Sequence, residues 1–407
     1  MTLAGRTVAV VFGSRSVEHE ISILTACQLM PVLAERGAEV IPVYITKEGA
    51  WLSRPTWREV SAFRGSLPTD GDPVGLDLAA GQLAIGTGSW RSRPRRVAVD
   101  AVFPCTHGPL GEDGTIAGLC QMARIPCVGC GPGAAALVMH KGWCKQVLAA
   151  AGLPVAPGVV VAMSGAAAAT LAAARAAAER LGYPVVVKPT HLGSSIGVTM
   201  VEGPAQLSDA LDIAFAYDTE VVVEGAVPAA EDLNCAVKRG APRASAVERP
   251  LRRGGILSYA DKYAHGGKLG SGAIGPGKGA GEATWAKQPD GTGAVRELPA
   301  DLPQGVAERV QALARSAYDA CACAGTVRVD FLMPADAPDL LVVNELNPIP
   351  GSLAFYLWTA SGVPFGVLAE ELVEEALAGQ GPPRLTLPGN LLAAGLPPGL
   401  APDPRRG

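Results

Sequence analysis

Residues 326–347, TVRVDFLMPADAPDLLVVNELN, decide how this chain is read. Two apolar, β-type runs, Thr326–Leu332 and Leu340–Glu345, carry the pairs Arg328-x-Asp330 and Glu345-x-Asn347 about fifteen residues apart. Residues two apart on a strand point to the same face, so neighbouring strands would present all four side chains to one cavity. Asp, Glu and Asn oxygens are hard ligands suited to magnesium, which keeps phosphates and waters in its other positions. An Arg beside them suits a phosphate or an oxyanion. A structural ion pair at strand ends explains the same spacing equally well, and both readings stand at this point.

Upstream, Lys188-Pro-Thr-His-Leu-Gly-Ser194-Ser195-Ile-Gly197 joins the short strands Val185–Val187 and Val198–Val201. Gly lets the backbone approach a ligand closely, and amides and hydroxyls donate to oxygens, so the loop suits a phosphate cradle. Without Lys188 it would read as an ordinary hairpin turn, and the order of a Walker A loop is absent. Gly270-x-Gly272-x-x-Gly275 matches a dinucleotide fingerprint in form only. No strand precedes it, and Pro276 and Gly277 forbid the helix that must follow.

The beginning of the chain alternates strand and helix: Thr7–Gly13, a helix over about Val17–Arg36, Val40–Ile45 and Val99–Pro104. This predicts an open, mostly parallel α/β sheet. Glu18-His19-Glu20 and His107 with Glu112-Asp113 follow strand ends at the edge where such sheets bind ligands. They would hold the ammonium and carboxylate of an amino acid, or simply supply acidic helix N-termini. The remaining pattern predicts helices at Lys141–Ala151, Ala166–Leu181, Gln206–Tyr217 and Gln304–Cys323, with a further strand at Glu220–Glu224. The expected domains are 1–138, with a Gly/Pro/Ser/Arg-rich surface insertion at about 53–94, then 139–226 and 227–380, and a Pro/Gly-rich tail at 381–407.

Composition bounds the function. The chain has 407 residues, is 48% hydrophobic, and carries a formal charge of -4. It suits two or three domains and neither a nucleic-acid nor an anionic-membrane surface. The cluster Arg91, Arg93, Arg95 and Arg96 reads as a solvated loop. No run approaches the ~20 apolar residues of a membrane span, and Thr7–Gly13 is too short for a signal-peptide core. A cytoplasmic setting and nine reduced cysteines follow. Cys127-x-x-Cys130 and Cys321-x-Cys323 lack flanking His ligands, and read as small buried thiols rather than a zinc site.

In order and spacing these pieces resemble the D-alanine–D-alanine ligase family. The resemblance is carried by VAVVFGSRSVEHEIS (8–22), PCTHGPLGEDGTIAGLCQMARIPCVGCG (104–131), VVVKPTHLGSSIGV (185–198), YADKY (259–263), RVDFLM (328–333) and NELNPIPGS (344–352). It implies the ATP-grasp architecture, with three α/β domains and ATP held between the second and third. It also implies a homodimer acting on small amino acids for cell-wall precursor synthesis.

Carried over residue by residue, Glu18 would orient the ammonium of the first D-amino acid and His107 its carboxylate. Lys141, Lys188 and Lys262 would bind ATP, Ser194 and Ser195 would close over the γ-phosphate, and Glu224 would meet the adenine side. Tyr263 would link to Glu18 and the loop serine. Asp330, Glu345 and Asn347 would hold two magnesium ions, while Arg328 and the Gly351 amide would bind the oxyanion. Ser352 and Leu353 would recognise the second substrate's carboxylate.

The chain departs from the family's pattern in several places. Asp232 stands where the family has a ribose-contacting Glu, and Pro348 follows Asn347 where Thr is usual. PGSLAFYLW is shorter than the usual loop, and the lid from Ala264 to Pro299 is long. Tyr263 is retained, which disfavours depsipeptide-forming relatives. Two other readings compete: a ligase of the same mechanism joining a different amino acid or amine, and a non-catalytic nucleotide- or amino-acid-binding protein.

Overall fold

The computed structural model describes residues 3–87, 93–251 and 296–379. The first part holds β1 (Thr7–Gly13), α1 (His19–Glu35), β2 (Glu39–Ile45), β3 (Trp51–Ser53), β4 (Asp72–Asp77), β5 (Gln82–Ile85), β6 (Arg95–Ala98), β7 (Ala101–Pro104) and α2 (Thr115–Ala123). Helices α3 (Pro132–Met139) and α4 (Lys141–Ala150) follow. Next come β8 (Gly158–Ala162), α5 (Ala167–Leu181), β9 (Val185–Pro189), β10 (Thr199–Val201), α6 (Leu207–Phe215) and β11 (Glu220–Gly225). The last part holds β12 (Ala230–Val237), β13 (Arg249–Pro250), β14 (Arg296–Glu297), α7 (Val306–Ala320), β15 (Val327–Pro334), β16 (Val342–Asn347), α8 (Phe355–Ala360) and α9 (Phe365–Ala378).

The first sheet runs β6-β5-β4-β3-β2-β1-β7. Among the described residues, β1 pairs in parallel with β2 and with β7, and β7 adds one isolated parallel bridge, Val102 to Cys127. The other four pairings are antiparallel, which corrects the expectation of a mostly parallel sheet. Among the described residues, the connections from β2 to β6 hold no α-helix to carry the chain back for a parallel neighbour, so each strand folds back beside the last. The stretch read as a surface insertion builds this antiparallel extension and buries Trp57 and Phe63 against Phe12 and Tyr44. Arg95 and Arg96 belong to β6 rather than a loop, and Arg96 pairs with Asp77.

The second sheet, β10-β9-β11-β8, packs on α5 and α6; the third, β12-β15-β16, packs on α7, α3 and α4. Helices α8 and α9, which follow the third sheet in sequence, return to the first. Leu357, Trp358, Leu368 and Leu372 share a core with Val8, Phe12 and Leu29. Among the described residues no single helix is long and apolar enough to cross a membrane.

Candidate active site

A cleft of about 390 Å³ lies where the three sheets meet. At one end β1 stops at Gly13, whose φ of +93° and 2.1 Å gap between an added Cβ and Ile45 O require glycine. The turn that follows delivers Glu18 to the start of α1, 5% exposed. The Ser194 hydroxyl donates to Glu18 Oε1, tying the phosphate loop to the amino-acid end of the cleft. Glu18 Oε2 is buried without a hydrogen-bond partner. Burial, and then the charge of Glu112, raise the Glu18 carboxyl above the usual carboxylate range.

His107 is buried beside Glu112, its Nδ1 lying 3.9 Å from Glu112 Oε1. Its Nε2 lies 2.9 Å from Thr25 Oγ1, which also accepts the Ser352 amide at 3.1 Å. One helical residue thus joins the loop that carries His107 to the turn after Gly351. The end expected to take the nucleotide is held by lysines. Lys141 donates to Leu192 O at 2.6 Å and pairs with Glu345 at 3.2 Å. Burial opposes its charge, but Glu345 leads a set of carboxylates that holds its pKa above the ordinary lysine value. His140 places it: Nδ1 accepts from Trp143 N at 3.1 Å and caps α4.

Lys188 pairs with Glu224 and donates to Asn344 Oδ1 at 3.2 Å; burial, with Lys145 second among the lowering causes, pushes its pKa down. Glu224 is 3% exposed and also forms an ion pair with Lys145 at 3.0 Å. It therefore anchors two lysines, whereas the sequence placed it against adenine. The apolar wall formed by Val186, Val198, Met200, Val227 and Leu332 suits a flat base better, and Asp232 lies on the same lining.

On the third sheet the register sets Asp330 opposite Glu345 and Arg328 opposite Asn347. Arg328 forks onto Asp330 at 2.6 and 2.7 Å, and Asn347 Nδ2 donates to Asp330 Oδ2 at 3.0 Å. The ion pair and the cluster of hard oxygen donors are therefore one arrangement. Seven carboxylates line the cleft against four cations, Lys141, Lys188, Arg296 and Arg328, among the described residues. Such a cavity takes a nucleotide's phosphates only together with added positive charge.

Gly351, Ser352, Ser194 and Ser195 line the cleft as expected. Leu353 does not: it is 2% exposed in the core beneath the first sheet. Lys262, Tyr263 and nearly all of the lid lie outside the described residues. The cysteine pairs are free thiols, eight of the nine buried. Sequence reasoning missed Thr25, Glu248 and Arg296, which lie outside the quoted motifs and reach the cleft only through the fold, and gave no role to Asn344 although it opens NELNPIPGS.

Comparison with known proteins agrees with this geometry. The family described as D-ala D-ala ligase N-terminus matches residues 7–130, and D-ala D-ala ligase C-terminus matches 147–272 and 285–374. A D-alanine–D-alanine ligase from Mycolicibacterium vanbaalenii is 36% identical over 387 residues, covering 91% of this chain and 97% of its own. The solved D-alanine-D-alanine ligase from Coxiella burnetii superposes with a TM-score of 0.71 at 25% identity, over 92% and 94% of the two chains. The VanG D-Ala:D-Ser ligase from Enterococcus faecalis gives 0.71 at 26% identity, over 91% and 99%. The fold is ATP-grasp, the chain is an ATP-using ligase, and it belongs to the D-alanine–D-alanine ligase family.

Proposed function

We propose that this protein joins two D-alanines, using ATP and magnesium, into D-alanyl-D-alanine for peptidoglycan precursors. The observation that carries the reading is the Ser194–Glu18 hydrogen bond, which holds the phosphate loop against the amino-acid end of the cleft. A phosphoryl donor and an amino-acid carboxylate then share one cavity, as ligation requires.

The proposed chemistry follows from the arrangement. Glu18 receives the first substrate's ammonium and His107 lies by its carboxylate. A carboxylate is a poor electrophile, so it first takes the γ-phosphoryl group, giving an acyl phosphate and ADP. Lys141 and Lys188 bind the phosphates as charge moves onto the leaving ADP. The second substrate's amine then attacks the acyl carbon, phosphate leaves, and Arg328 with the Gly351 amide stabilises the tetrahedral oxyanion. Asp330, Glu345 and Asn347 would hold magnesium, which neutralises the phosphates and positions them. Tyr263 and Lys262 complete the reading from the sequence side, as does Asp232 at the nucleotide.

We assign the domains to 1–138, 139–226 and 227–380, with a tail at 381–407, and infer a cytoplasmic homodimer; family membership supports both. The departure of Leu353 from the cleft favours a second reading, in which the same chemistry accepts a different amino acid. The test is ADP release with ATP, magnesium and single or paired amino acids, with products identified by mass. Turnover with D-alanine alone to a dialanine mass is expected. Silence with D-alanine and turnover with another acid or amine would replace the substrate.

A further inference from the structure

The second amino acid brings an anionic carboxylate into a cleft whose walls are already rich in carboxylates. It needs a cation that the phosphates and the reacting centre do not claim. Among the described residues, Lys141 and Lys188 are held at the end expected to take the nucleotide by Glu345, Glu224 and Asn344, and Arg328 is forked onto Asp330. Arg296 stands apart from them on β14. Its guanidinium carbon lies 4.5 Å from the centre of the Tyr356 ring, and Nη1 lies 3.1 Å from Glu248 Oε1. Glu248 in turn accepts from the Tyr356 hydroxyl at 3.1 Å and from Asn234 Nδ2 at 3.2 Å. Stacking and pairing fix the plane of the guanidinium, and Glu248 with the Tyr356 hydroxyl does not exhaust its five N–H donors.

Tyr356 lies just beyond the Gly351–Ala354 turn, so Arg296 is held next to the segment expected to recognise this carboxylate. That turn is differently occupied. Ser352, Leu353 and Ala354 are all left-handed, at φ 52°, 53° and 51°. The geometry sends Leu353 and Ala354 into the core and the Ser352 amide to Thr25 Oγ1.

We propose that Arg296 binds the carboxylate of the second amino acid and so restricts the acceptor to amino acids rather than simple amines or amides. The proposal rests on the ligase reading of the cleft. Arg296 is a specificity-determining residue that acts on binding of the acceptor, while Arg328 serves the oxyanion.

The test is a competition: D-alanine as donor, with D-alanine and excess D-alaninamide as acceptors, ATP and magnesium present, and both products quantified by mass. The ratio is internal to each reaction, so partial misfolding of a variant lowers both products alike. In Arg296→Gln the preference for the acid should fall by about tenfold or more, with the KM for ATP unchanged. Arg296→Lys should retain part of it. A wild-type ratio in Arg296→Gln overturns the assignment and leaves the ligase reading intact. A wild-type enzyme that makes neither product, and releases no ADP with any other amino acid or amine, overturns both.

Discussion

Glu18 is set against its surroundings: it is buried, faces Glu112, and is relieved by His107, the Ser194 hydroxyl and Lys141. Its carboxyl pKa is raised on folding. Its ionised form therefore costs stability that is present below the unfolded pKa and lost as pH rises through the folded one. A bound ammonium offsets that cost. Because the ammonium needs the ionised form, kcat/KM for the first substrate should fall as pH drops through the raised pKa. Glu112→Gln removes the nearest repulsion while keeping an acceptor for the Gly108 amide at 2.7 Å. The acid limb of the rate profile should move to lower pH, and an unmoved limb would remove Glu112 from the control of Glu18. Glu18, His107 and Ser194 were legible because they sit in Gly-marked loops at strand ends. Thr25 was not, because a Thr within a helix carries no signal until the fold brings His107 and Ser352 to it. The side-chain direction of Leu353 is likewise a property of the left-handed turn.

At the level of elements, the β15–β16 pair carries the site. Its register sets Asp330 against Glu345, with an irregularity immediately after Asp330. The alternation of buried and half-buried positions along VRVDFLMP turns one face to the core and the other to the cleft. Asp330→Ala and Glu345→Ala should each cut ADP formation by roughly a hundredfold or more, the scale of losing one charge-stabilising group. The far-ultraviolet circular dichroism should be unchanged. Substantial surviving activity would refute their role at the phosphates. These strands were visible because apolar β-branched runs bound the polar pairs. Strands β4 to β6 were hidden, because their Gly, Pro and Arg content reads as loop while pairing and the burial of Leu83 and Ile85 hold them in the sheet. Helices α8 and α9 are hidden for a similar reason: PGSLAFYLW reads as a loop, and the first sheet that buries these helices is remote in sequence.

At the level of the molecule, the cleft exists because the chain crosses between its cores. Helices α3 and α4 leave the first sheet to pack under the third, and α8 and α9 return from the third to the first. Such crossings depend on long-range contacts that no local pattern encodes, so the sequence yielded the sheets' parts but not their interlocking. The consequence is functional: Glu18, the phosphate loop and the β15–β16 pair come from three separate sheets or their edges and line one cavity. The account therefore stands or falls on whether phosphoryl transfer and amide formation occur there in sequence on one carboxylate. Supplying D-alanine labelled with 18O in its carboxylate, with ATP and magnesium, tests this most directly. The account predicts that the released inorganic phosphate carries one 18O per dipeptide formed. Dipeptide formation with unlabelled phosphate would contradict the acyl-phosphate route and with it the assignment of the cleft.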